Sequence, residues 1–474
     1  MPLPTIPSGN VASATASTVI VSNSCRFNDD HTAYMHKTPS SSGSRRTFTF
    51  STWWKQGDLA SSSVIFSSGE ADGDPNFAIY YNSSQQLNVM YYEGSTLLQL
   101  ITNAQYRDPS AWYHICVAID TTQGTNTNRA KIYINGSQVT SLATSTYCNQ
   151  NVDISINTNS YRMSIGTGVD DGDDADGYMA ETVFIDGTAY AASDFGEFDE
   201  DTPTVFKPKD VSELTFGTNG FYLDFEDSAN LGNDKNGGTD LTEVNLAATD
   251  QSTDTCTNNF ATMNPLATGS NITLSEGNLV TLGNTSSDSG LATMTIPFAF
   301  SGKWYWEVKM TDATSDYPYM GIFDDWESVS DADLNGAGGA ALAMDAYIRG
   351  GNTTLVKTGT NLTITAPADN DIIMFAIDRD NNKFYIGNNG TWYNSGDPTT
   401  GATGTGSLFN LTANTITMFG IHEYNGSDSS VNFGNPAYAN SSSVADANGY
   451  GAFEYAVPSG YYALCTKNLA EFGG

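Results

Sequence analysis

The chain has 474 residues, with 25 Tyr, 23 Phe, 7 Trp and 45 Gly against 19 Lys+Arg, so it is rich in strand-forming rings and poor in material for long amphipathic helices. Its formal charge of −34, from 19 basic and 53 acidic residues, repels nucleic-acid backbones and anionic membranes and excludes non-specific binding to either. No apolar run approaches the roughly 20 residues of a membrane span, and the start MPLPTIPSGN lacks the basic and apolar regions of a signal peptide, so neither membrane insertion nor ordinary secretion is expected.

In chain order, residues 1–17 are rich in Pro, Ser and Ala and read as an extended arm suited to docking on a neighbouring protein. From 18 to 226 short runs alternate with clusters of Gly, Asn, Asp and Ser. TFTFSTWW at Thr47–Trp54 is followed by Phe77–Tyr81, Leu87–Tyr92, Leu97–Thr102, Trp112–Asp120, Lys131–Asn135, Tyr161–Ile165 and Tyr178–Asp186. Runs of this length bounded by turn residues predict an antiparallel β-sandwich. Between 227 and 269 Asn, Asp, Thr and Gly dominate and apolar periodicity fades, which predicts an irregular linker. A second sandwich is expected over 270–474. In its strand Lys303–Met310 the period of two puts Trp304, Trp306, Val308 and Met310 on the core face, and Lys303, Tyr305, Glu307 and Lys309 on the other. The fold class is all-β, two consecutive antiparallel sandwiches.

The two halves share a hairpin design. Val117–Asp120 is followed by Lys131–Asn135 and Gly136, and Phe375–Asp378 by Lys383–Gly387 and then Asn388-Asn389-Gly390. Each reads as an apolar strand ending in Asp, a polar loop, and a Lys-led strand closing on Asn-Gly, which suits the positive φ of a tight turn.

Chemistry-bearing patterns are few. The five cysteines (Cys25, Cys116, Cys148, Cys256 and Cys465) form no CxxC pair and no metal-ligand spacing with His31, His36, His114 or His422. Cys116 and Cys465 lie in apolar runs and are expected to be core residues. No strand carries the close pair of carboxylates that glycoside hydrolysis needs, and the cluster Glu197, Asp199, Glu200 and Asp201 lacks strand character. No Gly-x-Ser-x-Gly elbow is present, and His114, beside Tyr113 in a strand, is expected to be packed. A non-enzymatic protein is therefore expected. Asp170, Asp171, Asp173, Asp174 and Asp176 lie in a Gly-interrupted loop that could supply oxygen ligands to Ca2+, with Glu70, Asp72 and Asp74 as a smaller second set; a solvated acidic loop is the competing reading. Loop aromatics suited to a sugar face are Tyr317, Tyr319 and Trp326 after Met310, and Trp392 and Tyr393 after the Asn388–Gly390 turn.

The segments SCRFNDDHTAYMHKTPSSSGSRRTFTFSTWWKQG, WYHICVAID, KIYING and GYMAETVFIDG resemble laminin G-like, concanavalin A-type modules of tailed-phage structural proteins. From about Ile272 to Pro436, GKWYWEVKM, MGI, DNDIIMFAIDRDNNKFYIGNNGTW and VNFG resemble a SPRY domain, in which a residue at the place of Trp392 is often core. The joining stretch from TNGFYLDFED to NNFATMNPL and the ending PSGYYALCTKNLAEF resemble phrases of marine phage virion proteins that carry this pair of modules. The resemblance implies a protein of the virion surface, assembled in the host cytoplasm: a tail fibre, an appendage or a capsid decoration. Its partners would be other virion proteins, further copies of itself (a trimer by family habit) and a host surface polysaccharide, with Ca2+ at a rim loop as in some laminin G-like modules. A decoration protein without a ligand and a polysaccharide-degrading tailspike are the rivals.

Overall fold

The alternating runs become the two faces of sheets. A computed structural model describes residues 19–284, 289–298, 300–313, 318–325, 344–357, 361–424 and 426–473. The expected arm therefore lies outside the described residues, as do Tyr317 and Trp326. The chain divides into two compact units, Met1–Thr257 and Asn258–Gly474.

Unit 1 is a sandwich of two antiparallel sheets. Sheet A runs, in spatial order, Ser137–Gln138, Ala130–Ile134, Trp112–Asp120, Thr47–Gln56, Gly177–Asp186, Ser24–Phe27 and Gln251–Ser252. Sheet B runs Leu142–Thr146, Thr96–Thr102, Leu87–Tyr92, Asn76–Tyr81, Ser63–Gly69, Arg162–Ile165, Tyr34–Lys37 and Thr242–Val244. Their facing sides meet in one core, where Phe77, Ile79 and Tyr81 of NFAIYY and Leu87, Val89 and Tyr91 of LNVMYY point inward. Sheet A is buried on its outer side too. Ala192, Phe195, Phe206, Val211 and Phe216 pack over Trp53, Trp112, Tyr178 and Ile185. Among the described residues of unit 1 no such layer covers the outward Tyr80, Met90 and Tyr92 of sheet B, which stay half-buried. That asymmetry decides which face of unit 1 can meet a ligand.

The expected linker is not one. Residues 227–257 close unit 1: Leu231 and Leu241 enter its core, Thr242–Val244 edges sheet B, and Gln251–Ser252 edges sheet A. Lys55 Nζ sits 2.6 Å from Asp254 Oδ2 with both side chains buried, and Trp112 Nε1 donates to Asp254 Oδ1 at 3.0 Å. The polar composition that suggested a loose crossing serves long-range hydrogen bonds, which local periodicity does not register. Residues 258–269 belong to unit 2, where Met263–Thr268 is an edge strand.

Unit 2 repeats the plan: among the described residues, sheet D around Lys303–Met310 has nine strands and sheet C around Met418–Tyr424 has seven. Trp306 stacks on Phe375 with ring centres 5.1 Å apart and planes 8° from parallel, and meets Phe419 of the facing sheet edge-on at 5.3 Å. Burying such an indole is worth about 4–6 kcal/mol of removed apolar area. The other face of Lys303–Met310 departs from expectation, because Tyr305 and Glu307 are fully buried. Phe453, Tyr461, Ala463 and Cys465 return over that face, and the Glu307 carboxylate accepts hydrogen bonds from Tyr305 Oη (2.7 Å), the backbone N–H groups of Glu454 and Tyr455 (both 2.9 Å) and Asn432 Nδ2 (3.3 Å). A polar strand face thus became a second buried layer.

The shared hairpin design is present in both units. Ile115–Ile119 pairs antiparallel with Ala130–Ile134, and Ile373–Asp378 with Lys383–Asn388. The closing Asn-Gly pairs have φ of 46° and 79° at Asn135 and Gly136, and of 45° and 81° at Asn389 and Gly390. All five cysteines are buried thiols.

Candidate functional site: a pocket on the open face of sheet B

Alternation in the strands Asn76–Tyr81 and Leu87–Tyr92 sends Asn76, Ala78 and Tyr80, and Asn88, Met90 and Tyr92, to the open face, with Ala78 opposite Met90 and Tyr80 opposite Asn88. The next strand, Ser63–Gly69, brings Val64 opposite Tyr80. Two loops frame this patch. The first, residues 70–75, turns tightly at Gly69, where a Cβ would lie 2.0 Å from the Pro75 carbonyl oxygen, so only glycine lets the chain return so closely. Within it Glu70 N–H donates to Pro75 O at 2.9 Å, Asp74–Pro75 is a cis peptide, and Asp74 Oδ1 accepts from Gly94 N–H at 2.9 Å.

The second loop, residues 166–176, carries the aspartates. Val64 N–H donates to Asp173 O and Gly168 N–H to Gly172 O, both at 2.8 Å, while Ser67 Oγ donates to Thr167 O at 2.7 Å. These bonds fold the loop over the strand Ser63–Gly69. Asp171 and Asp173 adopt positive φ of 57° and 53°, a conformation that Asp tolerates better than most residues. The result is a pocket of about 220 Å3. Val64, Ala78 and Met90 make an apolar floor, Tyr80 flanks it, and Asn76, Gly73, Gly168, Asp170 and Asp173 form the walls. The volume is below the roughly 300–1,000 Å3 of sites for drug-sized ligands, so it suits one small ring. Burial, and then the nearby Asp173 carboxylate, hold the Tyr80 phenol above its ordinary pKa, which keeps it a neutral donor.

The aspartates singled out in the sequence are not brought together as one ligand set. Asp170 and Asp173 line the pocket. Asp171 is paired instead with the Arg162 guanidinium, which also lies 5.3 Å over the Tyr34 ring. Asp174 is half-buried, and burial followed by the charges of Asp171 and Asp173 raises its pKa. Asp176 is buried against Gly57, whose N–H donates to its carbonyl at 2.9 Å. Among the described residues no three His, Cys, Asp or Glu side chains converge as a metal site, so the loop as folded does not fit a calcium cage. Glu70, Asp72 and Asp74 likewise serve their own turn, with Asp72 Oδ1 accepting Asp74 N–H at 3.1 Å.

The three described aromatic candidates, Tyr319, Trp392 and Tyr393, are not gathered at one place, since Tyr319 and Trp392 lie on different sheets of unit 2. Tyr319, on sheet C, meets the His422 ring edge-on at 5.2 Å with Arg349 5.0 Å over its face. Trp392 ends the short strand Thr391–Trp392 of sheet D, and Tyr393 follows it. Trp392 is half-buried, edge-on to Tyr305 (6.4 Å) and Tyr385 (6.3 Å), and Tyr393 packs against the unit 2 core, where burial pushes its phenol up to about 12. His114 is packed as expected. It lies among Trp53, Phe195 and Phe206 with Nε2 2.9 Å from Ser51 Oγ, and burial lowers its pKa to about 3. Sequence reasoning missed Val64, Asn76, Ala78, Tyr80 and Met90. The only signal of Asn76, Ala78, Tyr80 and Met90 was being the outward half of two alternating strands, and Val64 lies on a third, Ser63–Gly69.

Residues 29–192 match the family model described as the concanavalin A-like lectin/glucanases superfamily, of laminin G type. No curated protein matches the chain. Among solved structures, the SPRY domain of human HERC1 is similar at 14% identity over 36% of this chain and 96% of that one, with a TM-score of 0.27. A heptameric SAP-like pentraxin from Limulus polyphemus aligns at 16% identity over 36% and 80%, with a TM-score of 0.28. A Bacteroides ovatus protein, described provisionally as carbohydrate binding, aligns at 14% over 48% and 58%, with a TM-score of 0.33. These distant structural likenesses concern fold alone. Residues 29–192 are thus similar to laminin G-like, concanavalin A-type domains, and the two-sheet topology of unit 1 agrees with that likeness.

Proposed function

We propose that this chain is a non-enzymatic, glycan-binding protein of a phage particle surface, and that unit 1 binds a host surface sugar in the pocket on sheet B. The observation that carries the reading is the convergence of two separate loops on one small hollow, with an apolar floor and acceptor side chains at its rim. That combination suits a pyranose, whose C–H face packs on Ala78, Val64 and Met90 while its hydroxyls reach Asp170, Asp173 and Asn76. Absence of catalysis is supported by where the buried glutamates with raised pKa are, while Asp174, also raised, is not among the pocket-lining residues. Glu181, Glu307 and Glu423, all raised by burial, lie outside the pocket lining and are held by hydrogen bonds from Tyr222, from Tyr305 and the backbone, and from Thr281 and Ser427. The virion setting rests on the paired-module resemblance of the sequence, as do a trimeric assembly and neighbouring virion proteins as partners.

Glycan-array binding by the purified chain, with Tyr80→Ala in parallel, tests the activity. Saturable binding weakened in the variant supports the reading, and no binding to any glycan refutes it. Imaging of purified particles tests the setting: a few copies at the tail favour attachment, many copies over the capsid favour decoration, and absence from the particle refutes it.

A further inference from the structure

The outward side chains of the pocket share one property: those with a full charge are negative, and no cation lines the hollow. Asp170 and Asp173 are acceptors only, and among the described residues neither is in an ion pair. Asn76 adds a side-chain oxygen that is buried and without a hydrogen-bond partner. The cation closest in the loop's own network, Arg162, is bound to Asp171 and to the carbonyl of Gly168 at 3.4 Å. A ligand that satisfies this set must bring donors. An acidic ligand would bring more acceptors, and would have to shed water beside two like charges.

Resting on the glycan reading, we propose that the sheet B pocket selects neutral, hydroxyl-presenting sugar rings and rejects those bearing carboxylate or sulfate. A sugar hydroxyl donating to a carboxylate makes a charge-assisted hydrogen bond, about twice as strong as a neutral one. The apolar floor of Val64, Ala78 and Met90 accepts the C–H face of the ring and adds nothing for an anion. Rejection is built from repulsive elements, which is how binding sites commonly achieve specificity. The whole-chain charge of −34 acts in the same direction at longer range, slowing the approach of polyanions, and salt screens that part.

The test uses the full chain on matched oligosaccharides that differ only in sulfate or carboxylate, at physiological salt, comparing wild type with the double variant Asp170→Asn, Asp173→Asn. Wild type is expected to bind the neutral member about tenfold more tightly than its acidic counterpart, and the double variant to lose most of that ratio. Equal or tighter binding of acidic members by wild type overturns the proposal, and so does a ratio unchanged in the double variant. Ala78→Phe, which fills the floor, and Tyr80→Ala, which only trims the flank, separate this from the underlying reading. If both variants keep the native circular dichroism spectrum and full binding, the glycan site is elsewhere and both statements fall. If both lose binding while the charge ratio fails, only the selectivity falls.

Discussion

Glu423 offers a quantitative check on the packing of unit 2. It lies on Met418–Tyr424 of sheet C with no exposed surface, and its carboxyl accepts hydrogen bonds from Thr281 Oγ1 at 2.7 Å and Ser427 Oγ at 2.5 Å. Two hydroxyl donors, those of Ser427 and Thr281, favour the charged form, but burial outweighs them and pushes the pKa from 4.5 up to about 7. The folded chain therefore holds this proton more tightly than the unfolded chain does. Its contribution to stability is fully present below about pH 4.5 and is lost as pH climbs to about 7, the reverse of a salt-bridged carboxylate. At about 1.4 kcal/mol per tenfold change in proton affinity, the loss amounts to roughly 3 kcal/mol. Glu423→Gln keeps the shape and stays neutral, and the surrounding hydroxyls can rotate to meet its amide. Denaturant unfolding of both proteins, followed by tryptophan fluorescence from about pH 5 to pH 8, measures the difference. The two should agree near pH 5, and the variant should be more stable by up to about 3 kcal/mol near pH 8, in the transition that reports Trp304 and Trp306. Parallel pH profiles for the two proteins would refute the assignment of a buried, proton-holding carboxyl.

Other consequences can be measured with the same preparations. Glu307→Ala leaves the N–H groups of Glu454 and Tyr455 and the Tyr305 hydroxyl without their acceptor, and should cost about 3–5 kcal/mol in the unit 2 transition, with Glu307→Gln costing clearly less. Tyr80→Ala removes a half-buried flank of the pocket and should weaken glycan binding about tenfold, while equilibrium unfolding moves by less than about 1 kcal/mol. Millimolar calcium should leave the melting temperature unchanged, because Asp171 and Asp176 are turned to Arg162 and Gly57. An upward shift of several degrees, corresponding to about 2–3 kcal/mol of linked binding, would show that the loop rearranges into a cation site. Gly69→Ala should open the 70–75 loop, since its Cβ would meet the Pro75 carbonyl oxygen at 2.0 Å, and both stability and binding should fall.

Two local patterns carried most of the fold in the sequence. Period-two alternation in NFAIYY, LNVMYY and KWYWEVKM placed the core face of each strand, because successive side chains of a strand leave opposite sides of the sheet. Asn-Gly after a Lys-led strand located both shared hairpins, because few other residue pairs tolerate two positive φ values in succession. What alternation does not say is whether the outward face meets water or another layer. Tyr305 and Glu307 have an outward pattern and are buried, since residues more than 140 positions later in the chain return over them. Residues 227–257 have a linker's composition and complete unit 1, because their Asp, Asn and Thr side chains find partners far away in sequence, as Asp254 finds Lys55. The pocket has the same origin. The aspartates were visible as a string, but spacing along a loop does not determine direction, and the fold sends Asp170 and Asp173 to the hollow, Asp171 to Arg162 and Asp176 inward. Local preference thus determined the strands and their core faces, and only long-range packing decided which of the remaining faces stayed open for a ligand.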